Sequence, residues 1–494
     1  MNSRHLFLGR YCLLGLFLLL TACNLPAVAT VSPQSSPSPF PLLIIGDGTP
    51  TATPFQPIPP TATIPPPLPP TPAPPPPLAT PLPAAAVSAF GNWPPPNALV
   101  PGSPPVTAVP PPSPLLSGTD TLNFLLIGSD RRFTSFRTDT LVIVSVRPKE
   151  RLVTMISIPR DLFLYIPGWT MNRINTAYQQ GELIKYQGGG AGMLKDTILY
   201  NLGIRIDHTA MVEFSGFVRI VNTLGGIDTP LACPFTDWHI INPNYSDQDV
   251  NNWQLYTIGP GLIHMDGDLA LWYARSRLRS NDFDRGRRQQ EVLRAIYAKG
   301  MQTNVIPQIP QLYNDLHDTV TTDLSLDAIL QLAPLATDLG VARIRSDYIN
   351  AKVVTGWRTP TGAAVLLPNR AALQALVQQA MSPAETEETE SGEAVVEIWN
   401  GTTRRDWDVL TAERLHYAGF ETTIAPADRR NYTQSVLYDF TIEQNPTQSN
   451  ALLAALALPA SALVASPDPK GSLAYRLILG LDYNPCFNPA NLSH

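Results

Sequence analysis

Hydrophobic and polar positions change rhythm several times along this chain, and each change marks an element. Leu122–Gly128 is a short apolar run closed by a turn, which predicts a buried strand. Thr140–Arg147 and Arg151–Ile158 predict two more, joined by the turn Pro148-Lys149-Glu150. Helical periodicity follows at Met193–Leu202, Phe214–Leu224, Gly267–Ser276 and Asp284–Gln302, with a further helix near Leu324–Leu339. Beyond residue 392 the alternation resumes. A strand is expected at Ala394–Trp399, a helix at Trp407–Ala418 stopped by Gly419, and a strand at Val436–Phe440. A helix near Gln448–Leu458 and a strand at Leu473–Leu479 complete the series. Strands mixed with helices imply an α/β or α+β domain with a central sheet, followed by a second, small α/β module.

Composition separates the start of the chain from this pattern. Of the 52 prolines, 32 lie between Cys23 and Ser117, where Asp47 is the one charged residue. That stretch cannot build a core, and its proline runs favour polyproline II. At ~3.1 Å per residue, residues 24–117 would extend on the order of 290 Å at most, so the expectation is a disordered stalk. Before it, Arg4 and Arg10 precede the apolar run Tyr11–Ala22, which suits a signal-peptide core better than a membrane span. The run ends Leu20-Thr21-Ala22-Cys23, similar to the lipidation box of bacterial lipoproteins, with Cys23 as the lipidated residue. The expected organisation is therefore a signal at 1–22, a stalk at 23–117 and a main domain at 118–381. An acidic linker at 382–392, a small domain at 393–486 and a tail at 487–494 follow.

Charge excludes one class of partner and leaves room for another. Residues 119–300 carry 20 Lys+Arg against 18 Asp+Glu, and residues 382–494 carry 7 against 15. No domain-wide basic surface exists for nucleic acid, but a local anion site is compatible with the middle segment. Cys233 and Cys486 fit no metal spacing; a disulfide between them and two separate thiols are equally compatible with the sequence. The glycine run 188–192 lacks the Lys-Ser/Thr of a nucleotide loop and reads as a flexible start to a helix. His208, His239 and His264 are scattered and read as structural.

Polar residues collect at the strand ends. Ser129-Asp130-Arg131-Arg132 follows the first strand, Arg137-Thr138-Asp139 precedes the second, and Pro159-Arg160-Asp161 follows the third. On one sheet edge these groups would suit a divalent cation and phosphate together. Residues 275–290 hold six arginines and no lysine, and guanidinium forks match phosphate oxygens in pairs. On a helix, Arg285, Arg288 and Gln289 share one face, a substrate-binding set.

In order, the chain carries Asn123–Asp130, Arg137–Thr140, Ser157–Asp161, Asn172–Tyr178, Phe214–Phe217, Leu224–Asp228, Tyr273–Arg277 and Asp284–Gln290. These blocks resemble the LytR-CpsA-Psr family of bacterial cell-wall enzymes. The resemblance implies a central sheet flanked by helices, with an apolar channel for a polyprenyl chain. It also implies an extracytoplasmic phosphotransferase, which moves a glycopolymer from a polyprenyl-pyrophosphate carrier onto peptidoglycan as a phosphodiester. By motif, Asp130 and Asp139 would hold Mg²⁺, and Arg160, Arg275, Arg277, Arg285 and Gln289 would contact the phosphates, with Arg137 and Arg173 nearby. Asp130 or Asp139 would serve as base. Competing readings are a polyprenyl-pyrophosphate hydrolase using the same site and a non-catalytic envelope-binding protein. Val396-Glu397-Ile398-Trp399-Asn400-Gly401 and Ala412–Phe420 resemble the LytR C-terminal domain. Many members of the family enter the membrane by an N-terminal helix; here a lipid at Cys23 and a stalk would replace it.

Overall fold

The apolar alternation at residues 122–157 resolves into the centre of one mixed sheet. Its strands are β1 (Leu122–Arg132), β2 (Ser135–Arg147), β3 (Leu152–Ser157), β4 (His208–Glu213), β5 (Val320–Thr322) and β6 (Ile344–Tyr348). They lie in the spatial order β5-β4-β1-β2-β3-β6. β1, β2 and β3 pair antiparallel in sequence, whereas β4 joins β1 and β6 joins β3 in parallel. The computed structural model describes residues 110–116, 121–132, 135–242, 245–246, 248–277, 282–303, 305–337, 343–359, 361–382, 395–441, 445–468 and 473–486. The signal-like segment with Cys23, most of the proline-rich stretch, the acidic linker and the tail after 486 lie outside the described residues.

Successive residues of a strand face opposite sides of a sheet, and both sides are covered here. Leu125, Ile127, Leu141, Ile143 and Ile156 pack with Met193, Leu194 and Ile198 of helix α1 (Gly189–Leu202) on one face. Val142, Val146, Val153 and Met155 turn the other way, against other buried and half-buried apolar side chains that include Leu293 and Tyr297. The latter two belong to the long helix α4 (Asp282–Gln302); helices α2 (Phe214–Thr223) and α3 (Gly267–Arg275) precede it. A hairpin of β7 (Val354–Arg358) and β8 (Ala364–Pro368) follows the sheet. The result is an α/β fold with a central mixed sheet flanked by helices. Among the described residues no helix is long and apolar enough to cross a membrane.

The C-terminal module builds its own five-stranded sheet. Its strands are β9 (Val396–Asn400), β10 (Thr422–Ala425), β11 (Val436–Asp439), β12 (Leu463–Ala465) and β13 (Tyr475–Leu479), in the order β10-β9-β13-β11-β12. Helix α5 (Trp407–Tyr417) buries Trp407, Leu410 and Leu415 with Val396, Ile398 and Leu477 in a separate core. Within Ile240–Trp253 the Asp249 carboxylate caps the turn Val250–Asn252 by accepting from Asn251 N at 2.9 Å.

Two local expectations change, and one open alternative is decided. The chain expected to run as a free spacer to Ser117 is already anchored at Pro110. Its carbonyl accepts from Tyr200 Oη at 2.8 Å, and Ser113 N donates to Tyr200 O at 2.8 Å. The glycine run is not a flexible lead-in: Gly189–Gly192 form the first turn of α1 itself. A side chain at Gly190 would come within 2.5 Å of the Tyr178 carbonyl, so the glycines allow two helices to touch. Cys233 and Cys486 form a disulfide across 253 residues of sequence. Closing so long a loop restricts the unfolded chain, so Cys233→Ser with Cys486→Ser should lower the unfolding free energy by ~2–4 kcal/mol. A urea midpoint identical to that of the oxidised protein would refute this.

Candidate functional site

A β-bulge sets the site. In the β1–β2 ladder Gly128 opposes Thr140 and Ser129 opposes Thr138, which leaves Asp139 without a partner on β1. An extra residue of this kind bends the strand and re-aims its side chain. Gly128 allows the close approach beside it, since a Cβ there would lie 2.8 Å from Thr140 Cβ.

The Asp139 carboxylate meets Arg160, which stands in the turn after β3, at 2.5 Å. Arg160 also faces Asp161 at 3.5 Å and Asp282 at 3.6 Å. Asp282 opens α4 and lies 3.6 Å from both Arg277 and Arg285. Arg285 Nη2 donates to the Asp139 carbonyl at 3.2 Å, and Arg173 reaches Asp161 at 3.3 Å. Four guanidinium groups thus face three carboxylates. Burial opposes the charge on Arg160, but its hydrogen bond to Asp139 and the three carboxylates outweigh it and raise its pKa. Arg285 is more deeply buried, and there desolvation prevails and lowers the pKa. Arg160 Nε is buried and makes no hydrogen bond.

Gln289, one turn after Arg285, donates to Thr140 Oγ1 at 2.8 Å and to the Ala274 carbonyl at 3.3 Å. Arg275 lies 3.9 Å above the Phe214 ring. Both line an apolar cavity of about 130 Å³, walled by Leu126, Val142, Phe217 and Leu271 among others. This hollow lies between the sheet and helices α2–α4, and Gln289 also lines a smaller pocket containing Asp139, Asp282 and Arg285.

The structure therefore gathers Asp139, Arg160, Arg173, Arg277 and Arg285, with Gln289 and Arg275 adjoining. It does not gather Arg288. That residue is fully buried, donates to the carbonyls of Tyr273 and Ser276, and stacks 4.4 Å from the Phe235 ring. Burial lowers its pKa to about 10. Its place is the carboxyl end of α3, which it ties to α4. Asp130 and Arg137 face each other across the β1–β2 ladder, and their side chains lie outside the described residues. Asp282 is the acidic member that sequence reasoning did not select, and Asp161, noted at a strand end, was given no role. Asp282 stands at a helix start, where a carboxylate also reads as a first-turn residue, so its signal was ambiguous.

Hard carboxylate oxygens suit Mg²⁺, which takes one or two protein carboxylates and completes its shell with phosphate oxygens and water. Among the described residues no group of three or more His, Cys, Asp or Glu side chains converges on one point. Asp139 is the described carboxylate that the bulge presents beside the arginines, so the donor set fits such an ion without forming a closed cage. His208 faces Asp323 at 3.4 Å, His264 faces Asp228 at 2.7 Å, and His239 packs 5.0 Å from Trp272.

The sequence pattern of the LytR_cpsA_psr family matches residues 105–381. A polyisoprenyl-teichoic acid–peptidoglycan teichoic acid transferase TagU of Halalkalibacterium halodurans is 32% identical over 223 residues, covering 44% of this chain and 66% of the relative. The TagU of Enterococcus faecalis is 31% identical over 225 residues, covering 45% and 64%. The chain thus spans just under two thirds of the length of these curated relatives. The crystal structure of Bacillus subtilis TagV, 24% identical, covers 54% of this chain and 97% of its own, with a TM-score of 0.43.

Proposed function

The chain belongs to the LytR_cpsA_psr family, and on that premise we propose that it is an extracytoplasmic phosphotransferase. It would take a glycopolymer from a polyprenyl-pyrophosphate carrier and join it to peptidoglycan through a phosphodiester. The observation that carries this reading is the cluster of Arg160, Arg277 and Arg285 about Asp139 and Asp282, set beside an apolar cavity that Arg275 and Gln289 also line. A polyprenyl pyrophosphate has the same two-part character, an apolar chain ending in concentrated negative charge.

In this reading the chain enters the cavity past Phe217 and Leu271, and the pyrophosphate meets Arg160, Arg275, Arg277 and Arg285. Phosphoryl transfer depends on positioning and on neutralising charge that develops on oxygen. Arg160 and Arg285 are held by Asp139 and Asp282 before substrate arrives, so little reorganisation is left for the reaction. A hydroxyl oxygen of the acceptor bonds to the phosphorus next to the sugar, the bond from that phosphorus to polyprenyl phosphate breaks, and polyprenyl phosphate leaves. The hydroxyl proton passes to a site carboxylate, for which Asp139 is our candidate. Asp130 and Asp139 would hold Mg²⁺, which supplies further neutralisation of the phosphate oxygens when bound. Lipidation at Cys23, with residues 24–109 as tether, would keep the enzyme at the membrane that carries its donor.

The test offers lipid-pyrophosphate glycan, Mg²⁺ and peptidoglycan oligomers and looks for covalent product. Released glycan phosphate as the sole product would overturn the transferase reading in favour of hydrolysis. The cavity makes a separate prediction. Leu271→Trp narrows it and should raise KM for a long-chain donor about tenfold, with a much smaller effect on a short-chain analogue. Equal effects on both donors would remove the polyprenyl chain from this cavity.

A further inference from the structure

Three hollows succeed one another through shared residues. The apolar cavity shares Gln289 with the small pocket that holds Asp139 and Arg285. That pocket shares Asp282 and Phe283 with an open cleft of about 500 Å³, whose far wall is the β7–β8 hairpin with Trp357 and Arg358. The hairpin is tied to the site by its backbone: Leu366 N donates to the Asp161 carbonyl at 2.9 Å, directly beside Arg160. Trp357 is half-buried, with its ring 5.9 Å from Phe163, while Arg358 is exposed. At Gly356 an added side chain would meet nothing within 4 Å, so the cleft is open there.

The order of the hollows decides what the cleft is for. In phosphoryl transfer the attacking and leaving oxygens stand roughly in line on opposite sides of the phosphorus. If polyprenyl phosphate departs toward the apolar cavity, the attacking hydroxyl must come from the side away from it. The cleft is on that side of the small pocket. We propose that it is the subsite for the acceptor sugar, a pyranose unit of a glycan strand; the proposal rests on the transferase reading above. Its chemistry is that of a sugar site. Trp357 lines it with a half-buried ring that also rests on Phe163, Arg358 has guanidinium donors beyond the Nη1 that the Gly362 carbonyl holds at 3.1 Å, and the Asp161 and Asp282 carboxylates accept from hydroxyls. The small pocket with Asp139 and Arg285 separates this sugar from the lipid, so donor and acceptor enter by different mouths and meet at Asp139.

The experiment uses the whole protein and a lipid-free peptidoglycan tetrasaccharide as probe. Trp357→Ala and Arg358→Ala should each weaken tetrasaccharide binding, measured calorimetrically, by about tenfold or more. Each should raise KM for the glycan acceptor by a similar factor, with KM for the lipid donor held within about twofold. Trp357→Phe should recover most of the binding, and the unchanged donor KM separates lost sugar contact from a general structural defect. If Trp357→Ala does not fold, Arg358→Ala and Ala364→Trp, which fills the cleft from an exposed position, carry the test. Unchanged tetrasaccharide affinity in these variants overturns the proposal, and so does a rise in donor KM in place of acceptor KM, which would assign the cleft to the donor's own glycan. Wild-type protein that binds the tetrasaccharide at Trp357 but never turns over a polyprenyl-pyrophosphate donor would instead sink the transferase reading and leave the sugar site standing.

Discussion

Arg160→Ala should lower transfer on the order of 10³-fold while the protein still folds. Arg160 faces the Asp139, Asp161 and Asp282 carboxylates at 2.5–3.6 Å and is the cation at the centre of the cluster. Its loss removes a pre-aimed cation and also leaves three carboxylates facing the incoming pyrophosphate. The second effect repels substrate, so the penalty exceeds that of deleting one hydrogen-bond donor. Arg160→Lys keeps the charge but loses the planar fork, and should recover only a small part. Asp139→Ala should be comparably severe, because it frees Arg160 from its strongest partner and removes the carboxylate we assign to proton transfer. Covalent product per unit time is the measurement. Rates within a few-fold of wild type for both variants would refute the site.

The largest effect on stability lies elsewhere. Glu413→Ala should destabilise the protein by about 3–5 kcal/mol, since it strands a buried charge. Arg294 on α4 is 3% exposed, and its Nε meets Glu413 of α5 at 3.0 Å. It also donates to the Ile344 carbonyl at 2.8 Å and lies 4.5 Å from the Tyr417 ring. Burial opposes its charge, and Glu413 with neighbouring groups reverses that and raises its pKa. Without Glu413 the guanidinium must stay charged in an apolar setting or leave it, and either route loosens α5 from α4. Arg294→Met combined with Glu413→Leu should recover most of the loss, because two apolar side chains of similar volume need no partner. Urea unfolding of the three proteins decides this. A single variant as stable as wild type would mean that water already reaches Arg294.

The two variants bear on one helix at different points along it. Arg285 and Gln289 reach the site from the first turns of α4, and Arg294 meets the C-terminal module further along. Between them, Arg287 and Glu291 pair on the helix, and Tyr273 Oη donates to Glu291 at 2.6 Å. The module therefore grips the element that presents the arginines, and Glu413→Ala is expected to lower activity in proportion to unfolding and no further.

How much of this was written in the sequence follows from the range of the interactions. Strands β1–β3 and helices α1–α4 were legible because burial of alternate or every third and fourth residue leaves a period of 2 or 3.6, and that period is local. Asp139, Arg160 and Arg285 were legible as candidates because polar residues crowd the ends of apolar strands and the start of a helix, where a sheet edge exposes them. Helical spacing also put Arg285, Arg288 and Gln289 on one face, and there local reasoning stopped. The face spans about 100° of the helix, and what each side chain meets across that arc depends on which element packs there. Arg285 meets the end of β2, Gln289 meets Thr140, and Arg288 turns into the carboxyl end of α3. The same limit hid Asp282, whose three arginine partners come from a strand-end turn, a helix end and its own helix. Cys233 and Cys486, 253 residues apart, and the Trp357 cleft belong to this group as well. The sequence by itself determined the elements, the family and the stock of charged groups. Only the tertiary structure decided which of those charges share a site and which are spent on holding helices together, because that depends on contacts between segments far apart in the chain.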